Sequence, residues 1–338
     1  MTPSAPQVLC FGEALVDRLL GPEGGDHLGG APANAACALA RLGTPAAFLG
    51  RLGRDGTGAA FAALFRERGV NTDGLQWDGE RPSRTVLVQR DGRGERSFGG
   101  FFGERGAGFA DQAVEREPLL AALPPLLAGA RWLLVGTLSL ASPGSAAAQA
   151  ALVAAAAEAG LGLAVDGNWR PTFWGLAPEA PPPAAARAAI GALLERADLI
   201  KCAAEEAAWF FGGGADPAAI SAAFPRQPAV LITDGPRPVR WWAAGRGGCQ
   251  AAWAVPVVDT TGAGDAFTAG LLHRLCAGAG ERGEGRVESR GEGRELAAAV
   301  AFAAACGALT CRGAGAIAPQ PTAAQVEALL RESAPHLA

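Results

Sequence analysis

Short apolar runs alternate along the chain with longer stretches rich in alanine and leucine. Val8–Phe11 leads to a helical stretch from about 31 to 42, and Ala46–Leu49 to one from about 56 to 68. The pattern resumes with Trp132–Val135, a helix from about 145 to 159, Leu161–Val165, a helix from about 184 to 196, Leu199–Lys201 and Val230–Thr233. Apolar runs of this length between turn signals read as buried strands. Strands separated by helices pair in parallel, with helices packed on both faces of the sheet. The chain is therefore expected to be α/β.

Two stretches break the alternation. Residues 84–90 and 95–101 flank Asp91-Gly92-Arg93-Gly94, which is turn chemistry for a β-hairpin, so a small antiparallel appendage or lid is expected. A second hairpin is expected from Val239–Trp242 through Gly245-Arg246-Gly247-Gly248 to the run at 249–255, at a sheet edge. Residues 278–294 are Gly-rich and mixed in charge; they bury too little apolar surface to offset ordering and read as a mobile, solvated loop between two helices. The prolines at 181–183 read as a surface connection.

Composition narrows the class. A chain of 338 residues predicts two domains at about 150 residues each, or one doubly wound unit. No apolar run reaches the roughly 18 residues needed to span a membrane. Met1–Gln7 lacks a basic leader, so a cytoplasmic protein is expected. Net charge is 29 minus 33, or −4, which removes the footprint of a nucleic-acid binder and favours small-molecule chemistry. The seven cysteines (10, 37, 202, 249, 276, 306, 311) form no Cys-x-x-Cys pair, and His27, His273 and His336 are scattered, so reduced structural thiols are expected and a zinc site is not. Only one basic residue is a lysine, Lys201, and there is no tyrosine; this skew reads as coding bias from a GC-rich genome.

Chemistry concentrates in two strings. Asp259-Thr260-Thr261-Gly262-Ala263-Gly264-Asp265-Ala266-Phe267 precedes an apolar helical run. Backbone N–H groups at a helix N-terminus attract anions, so Gly262, Ala263 and Gly264 form a candidate cradle for a phosphoryl group. Asp265 in the first turn would accept a proton from an attacking hydroxyl. Near the other end, Gly12-Glu13-Ala14-Leu15-Val16-Asp17 is followed by Gly29-Gly30-Ala31-Pro32-Ala33-Asn34 running into a helix. The glycine pair lets a ligand approach the backbone, while Asp17 and Asn34 could hydrogen-bond sugar hydroxyls or serve as cap and turn formers.

Together these strings resemble the signatures of the PfkB, or ribokinase-like, family of carbohydrate kinases, and the Pro-Ala form of the Gly-Gly motif resembles its fructokinases. Other stretches match in order along nearly the whole chain. Gly50–Gly58 resembles a loop of the family, either a Gly-rich turn or a substrate contact. Asp166-Gly167-Asn168-Trp169-Arg170-Pro171 resembles the Asp-x-Asn-x-Arg element near phosphates and sugar, with Asn168 and Arg170 as substrate contacts, a surface ion pair as the other reading of Arg170, and the tryptophans as packing. Lys201–Glu206 falls at an Asn-x-x-Glu motif: Glu206 keeps the acid that organises Mg2+ through water, whereas Ala203 replaces the customary Asn. Thr233-Asp234-Gly235 resembles the nucleotide loop, with Thr233 and Gly235 joining Gly262 and Gly264 as nucleotide contacts; the run 303–308 resembles the adenine-side helix, and Asp259 belongs near a K+ site.

The resemblance implies a single ribokinase-like domain over 1–338, a three-layer α/β/α sandwich with a mostly parallel central sheet and a small β-lid built from about 18–28 and 75–102. It implies ATP-dependent phosphorylation of a sugar's primary hydroxyl, fructose first, with Asp265 as general base, and a homodimer through the lid. Residues 98–111 keep an Ala-Asp pair but not the Arg-Asn-Pro-Ser-Ala-Asp form of typical fructokinases, which bears on the sugar; the Asp166–Trp174 element also resembles 2-keto-3-deoxygluconate kinases, and such a kinase is the enzymatic alternative. Ala203 keeps open a non-catalytic regulator or scaffold.

Overall fold

The computed structural model describes residues 5–20, 24–90, 96–104, 106, 108–278 and 292–332. Its strands are β1 Val8–Phe11, β2 Leu15–Leu19, β3 Asp26–Gly29, β4 Ala46–Gly53, β5 Leu75–Asp78, β6 Thr85–Arg90, β7 Arg96–Phe102, β8 Trp132–Gly136, β9 Gly162–Gly167, β10 Leu199–Ala203, β11 Ala229–Asp234, β12 Arg237–Ala243 and β13 Arg246–Gln250. The α-helices are α1 Ala31–Leu42, α2 Gly56–Arg68, α3 Arg116–Leu127, α4 Pro143–Glu158, α5 Ala184–Leu194, α6 Ala204–Phe210, α7 Pro217–Ala222, α8 Ala263–Gly278, α9 Glu292–Thr310 and α10 Ala323–Glu332.

Nine strands form one sheet in the order β13-β12-β11-β10-β9-β8-β1-β4-β5. Every pairing from β5 through β11 is parallel, and β12 and β13 close the far edge as an antiparallel hairpin. The period-2 alternation of a strand sorts its side chains between two apolar layers. Val8 and Cys10 of β1 face the layer that contains Phe61 and Phe65 of α2 and Leu271 and Leu272 of α8. Leu9 and Phe11 face the layer with Leu119 of α3, Leu152 of α4 and Ile190 of α5. Both faces of β1 are buried, which is why its sequence reads as a continuous apolar run.

The second sheet has the order β3-β2-β6-β7. It corrects one expectation: residues 75–78 do not join the small sheet but pair in parallel with β4 at the edge of the large one, through the register Gly50↔Leu75 to Gly53↔Asp78. The segments from the second half of the 75–102 stretch that build the appendage are β6 and β7. The edge hairpin also differs in register from expectation. Its turn falls at Ala244-Gly245, and Gly247 and Gly248 lie within β13, because the rings of Trp242 and Trp241 rest on them: a Cβ there would come within 2.8 and 2.7 Å of ring carbons. Pairing ends at Gln250, short of the expected 255.

Helix α3 escaped the sequence pattern because Pro124 and Pro125 lie inside it, yet Leu119, Leu123 and Leu126 form a buried stripe at helical spacing. Most of the Gly-rich stretch 278–294 lies outside the described residues; Gly278 ends α8, and 292–294 begin α9. Among the described residues no helix is long and apolar enough to cross a membrane. Cys10, Cys37, Cys202, Cys276 and Cys306 are buried in the apolar layers, and burial pushes the Cys276 thiol up to about 11 and that of Cys37 to about 12.

Candidate active site

The chain leaves β1 toward β4 and β5, then returns to β8 on the other side of β1 and proceeds outward. In open α/β sheets ligands gather beyond the carboxyl ends of the strands at such a reversal. Gly12 and Glu13 follow β1, Gly136 and Thr137 end β8, and Asp166 pairs with Lys201 one strand further on.

The first motif, Gly12–Asp17 with Gly29–Asn34, folds around the start of α1. Gly30 has φ +102°, and a Cβ there would lie 2.6 Å from the Glu13 carbonyl oxygen, so no side chain fits. Glu13 Oε1 accepts from the Ala31 N–H at 3.0 Å, anchoring the first turn of α1 from the neighbouring segment. Burial pushes the Glu13 carboxyl up to about 8 against the pull of those backbone amides, and Asp111 and Asp265 add to the push. Asp17 on β2 stands against Gly29, its Oδ2 3.1 Å from where a Cβ of that glycine would sit.

The Asp259–Phe267 string folds as a clamped turn. Asp259 Oδ1 accepts from the Thr261 N–H and hydroxyl (3.0 and 2.7 Å), and its Oδ2 from the Gly315 N–H (2.9 Å), tying the turn to the loop after α9. Gly262 has φ +77° and packs on Ala316; a Cβ would come within 2.6 Å of that residue. The next residue, Ala263, starts α8, so Gly264 and Asp265 fall in the first turn, where helix amides lack intrahelical partners. Asn34 Nδ2 donates to Asp265 Oδ2 at 2.7 Å, joining the two motifs across the fold. Burial and the charge of Asp166 push the Asp265 carboxyl up to about 6, with Lys201, Asn34 and Arg170 opposing them. Asn34 is 4 % exposed, and its Oδ1 is buried without a hydrogen-bond partner. A buried acceptor in that state is costly and would be satisfied by a ligand hydroxyl.

The other expected residues occupy the same edge with different engagements. Asn168 is buried and turns its Oδ1 toward the N–H and hydroxyl of Thr137, both at 3.1 Å, strapping β9 to β8. Arg170 extends outward, 59 % exposed, with Nη1 3.4 Å from Glu206 Oε1. Glu206 Oε1 also accepts from the Trp169 N–H and Oε2 from the Ala203 N–H, both at 2.9 Å. This is half a capping box, because Ala203 has no side chain to return the bond. Trp169 is 2 % exposed and packs on Trp174, as expected for the tryptophans. Thr233 pairs with Ala203 at the next strand end, and Gly235 turns toward β12 with φ +55°. The run 303–308 lies in α9 against α8, with Ala303, Ala305 and Cys306 buried. Within the 50–58 stretch Asp55 caps α2 through the Gly58 N–H and also takes the Ser83 N–H, which favours the turn-forming reading.

Three features were not singled out from the sequence: the buried Glu13, the Lys201–Asp166 pair and an arginine cage. Lys201 Nζ lies 3.0 and 3.1 Å from the two oxygens of Asp166. Arg84 makes a two-pronged pair with Asp111 (2.8 and 3.0 Å) while its guanidinium stands 4.5–4.8 Å from the ring centres of Phe101, Phe109 and Phe173. The cage joins the small sheet to the body of the protein. Its signal in the sequence was slight, an arginine immediately before the Thr85–Arg90 strand. Replacing Arg84 with Met would leave a buried carboxylate without its partner; a loss of about 3–5 kcal/mol is expected, read as a lowered midpoint in urea denaturation.

The sequence profile of the pfkB family carbohydrate kinases matches residues 6–323. The chain belongs to this family. Probable fructokinase-6, chloroplastic, of Arabidopsis thaliana is 35% identical to this pfkB kinase over 344 residues, covering 98% of this chain and 84% of the relative. Among solved structures, a fructokinase with bound ATP from Xylella fastidiosa superposes with a TM-score of 0.81 at 29% identity, covering 96% of this chain and 98% of that one. A fructokinase from Vibrio cholerae O395 in a fructose, ADP and calcium ion bound form gives 0.81 at 28%, covering 97% and 99%. The fold is thus ribokinase-like, and the protein is a sugar kinase, transferring a phosphoryl group to an alcohol.

Proposed function

We propose that the protein phosphorylates a primary hydroxyl of fructose with ATP, giving fructose 6-phosphate. The observation that carries this reading is the buried Asn34–Asp265 contact, which places a proton acceptor from the phosphate-side turn against a residue of the sugar-side helix. Asp265 takes the proton of the attacking hydroxyl as the bond to phosphorus forms. The backbone amides of Gly262, Gly264 and Asp265 face the charge on the group in transfer, whereas the expected Ala263 N–H is taken by the Thr260 carbonyl oxygen at 3.2 Å, which closes the turn. Asp17, Gly29, Gly30 and Asn34 orient the sugar, with the unpartnered Asn34 Oδ1 as acceptor for a hydroxyl, and Asn168 and Arg170 complete the boundary toward the phosphates. Thr233 and Gly235 border the nucleotide. The small sheet closes over the sugar and excludes water, favouring transfer over hydrolysis. Its outer surface, where Leu20 is 40% and Phe102 54% exposed, supports pairing with a second copy.

Both oxygens of Glu206 already accept backbone N–H bonds, and among the described residues no cluster of three or more His, Cys, Asp or Glu could cage a metal. That donor set fits Mg2+ held through its own waters and the nucleotide, as this hard cation prefers. Bound there, Mg2+ would neutralise phosphate charge. Asp259, pinned between the turn and the Gly315 loop, would lie beside a K+ site.

Glu13, Asp17 and Asn34 on the sugar side offer no positive charge, and Arg84 is committed to Asp111. An acid sugar such as 2-keto-3-deoxygluconate would need free cationic partners, so fructose is favoured. A coupled assay with ATP over a sugar panel tests this. Fructose is expected to lead in kcat/KM, and preference for the keto acid would overturn the substrate assignment. Tight sugar binding with no turnover would favour the regulatory reading.

A further inference from the structure

The lone lysine of the sequence, Lys201 on β10, lies beneath the catalytic turn and is 6% exposed. Its ammonium grips both oxygens of Asp166. Thr268, one helical turn after Gly264 on α8, places its hydroxyl 2.9 Å from Asp166 Oδ2 and 3.1 Å from the Gly264 carbonyl oxygen. A Cβ on Gly264 would come 2.9 Å from Lys201 Nζ, so the ammonium touches the first turn of α8. Lysine and aspartate are rarely buried unless paired, and this pair sits beside Asp265.

We propose that Lys201 is a positioning residue for phosphoryl transfer: through Asp166 and Thr268 it holds the first turn of α8, and its charge offsets that of Asp166 so that Asp265 stays ionised. This rests on Asp265 being the general base. The groups facing Asp265 come from separate elements: Asn34 from α1, Glu13 after β1, Asp166 from the end of β9, Arg170 just beyond it and Lys201 from β10. Asp166 and Lys201 act on Asp265 in opposite directions. Burial alone would lower the Lys201 pKa, but the charges of Asp166, Asp265 and Glu206 outweigh it and hold it above the ordinary lysine value. The ammonium therefore remains charged over the working pH range, and its removal exposes Asp265 to an unbalanced Asp166.

The test is the pH profile of kcat/KM for fructose. In Lys201→Met, which keeps the length of the side chain and loses the charge, the acid limb is expected to move up by about one pH unit, with activity recovering at alkaline pH. Adding Asp166→Asn to it is expected to return the limb toward the parent position. A folded Lys201→Met with an unmoved limb would overturn the proposal, and so would a limb that the second substitution fails to restore. Should Lys201→Met not fold, Asp166→Asn alone reads the same balance from the other side: the limb moves down when the ammonium faces Asp265 unopposed, and an unmoved limb again overturns the proposal. Asp265→Asn separates the two readings. If it turns over like the parent, the base assignment falls and takes this proposal with it; if it is silent while the Lys201 and Asp166 variants leave the limb in place, only the role of Lys201 falls.

Discussion

Asp265→Asn is expected to lower kcat by about 10³-fold, within the range assigned to positioned general bases, while sugar and nucleotide still bind. Asparagine keeps the shape of aspartate and can still present an oxygen to the Asn34 amide that the carboxylate now accepts. What it cannot do is take a proton from a hydroxyl. In the parent enzyme the carboxyl, pushed up to about 6 by burial and by Asp166, must be ionised to act. Turnover therefore declines as pH falls through about 6, and the variant has no such acid limb to lose. Steady-state rates over a pH series, with calorimetric binding of sugar and nucleotide, check both halves. Parent-like turnover in the variant would remove Asp265 from the mechanism.

Gly262→Val is the second large effect. The backbone at 262 has φ +77°, which a β-branched residue scarcely adopts, and its Cβ would intrude on Ala316 at 2.6 Å. The turn must leave the 313–316 loop, carrying the amides of Gly264 and Asp265 away from the place proposed for the transferring group. Loss of such donors costs about 10²-fold in kcat. Sugar binding should persist, since Asp17, Gly29 and Gly30 belong to segments that the turn does not build. A fall in kcat with sugar affinity retained is the expected signature; an unchanged kcat would show that the turn does not serve the transfer step.

What could be read from the sequence was what is local. Val8–Phe11 reads as a strand because both faces are covered, and α1 and α2 run over the expected residues because their ends are signalled by Gly43 and Gly69 in left-handed conformation. Asp265 was legible because a glycine turn and the start of its helix lie within the nine residues 259–267. The remainder depends on partners far away in sequence. Glu13 has the same side chain whether it is solvated or buried, and only its burial in the folded chain, with Asp111 and Asp265 adding to it, pushes its carboxyl up to about 8. Arg84 needs phenyl rings from residues 101, 109 and 173. The strand at 75–78 carries no mark that assigns it to β4 instead of the small sheet, and Gly247 and Gly248 look like turn residues until two tryptophan rings settle on them.

The contact between Asn34 and Asp265 spans 231 positions of sequence. During synthesis, a nascent chain that has exposed its first 250 residues carries the sugar-side helix and the strands of the large sheet, but neither the proton acceptor nor the loop at 313–316 that seats its turn. Domains generally fold as units while the chain emerges, and here a late part of the chain supplies the carboxylate proposed as the base. On that proposal partly made chains cannot yet spend ATP, and competence waits for the C-terminal helices to dock.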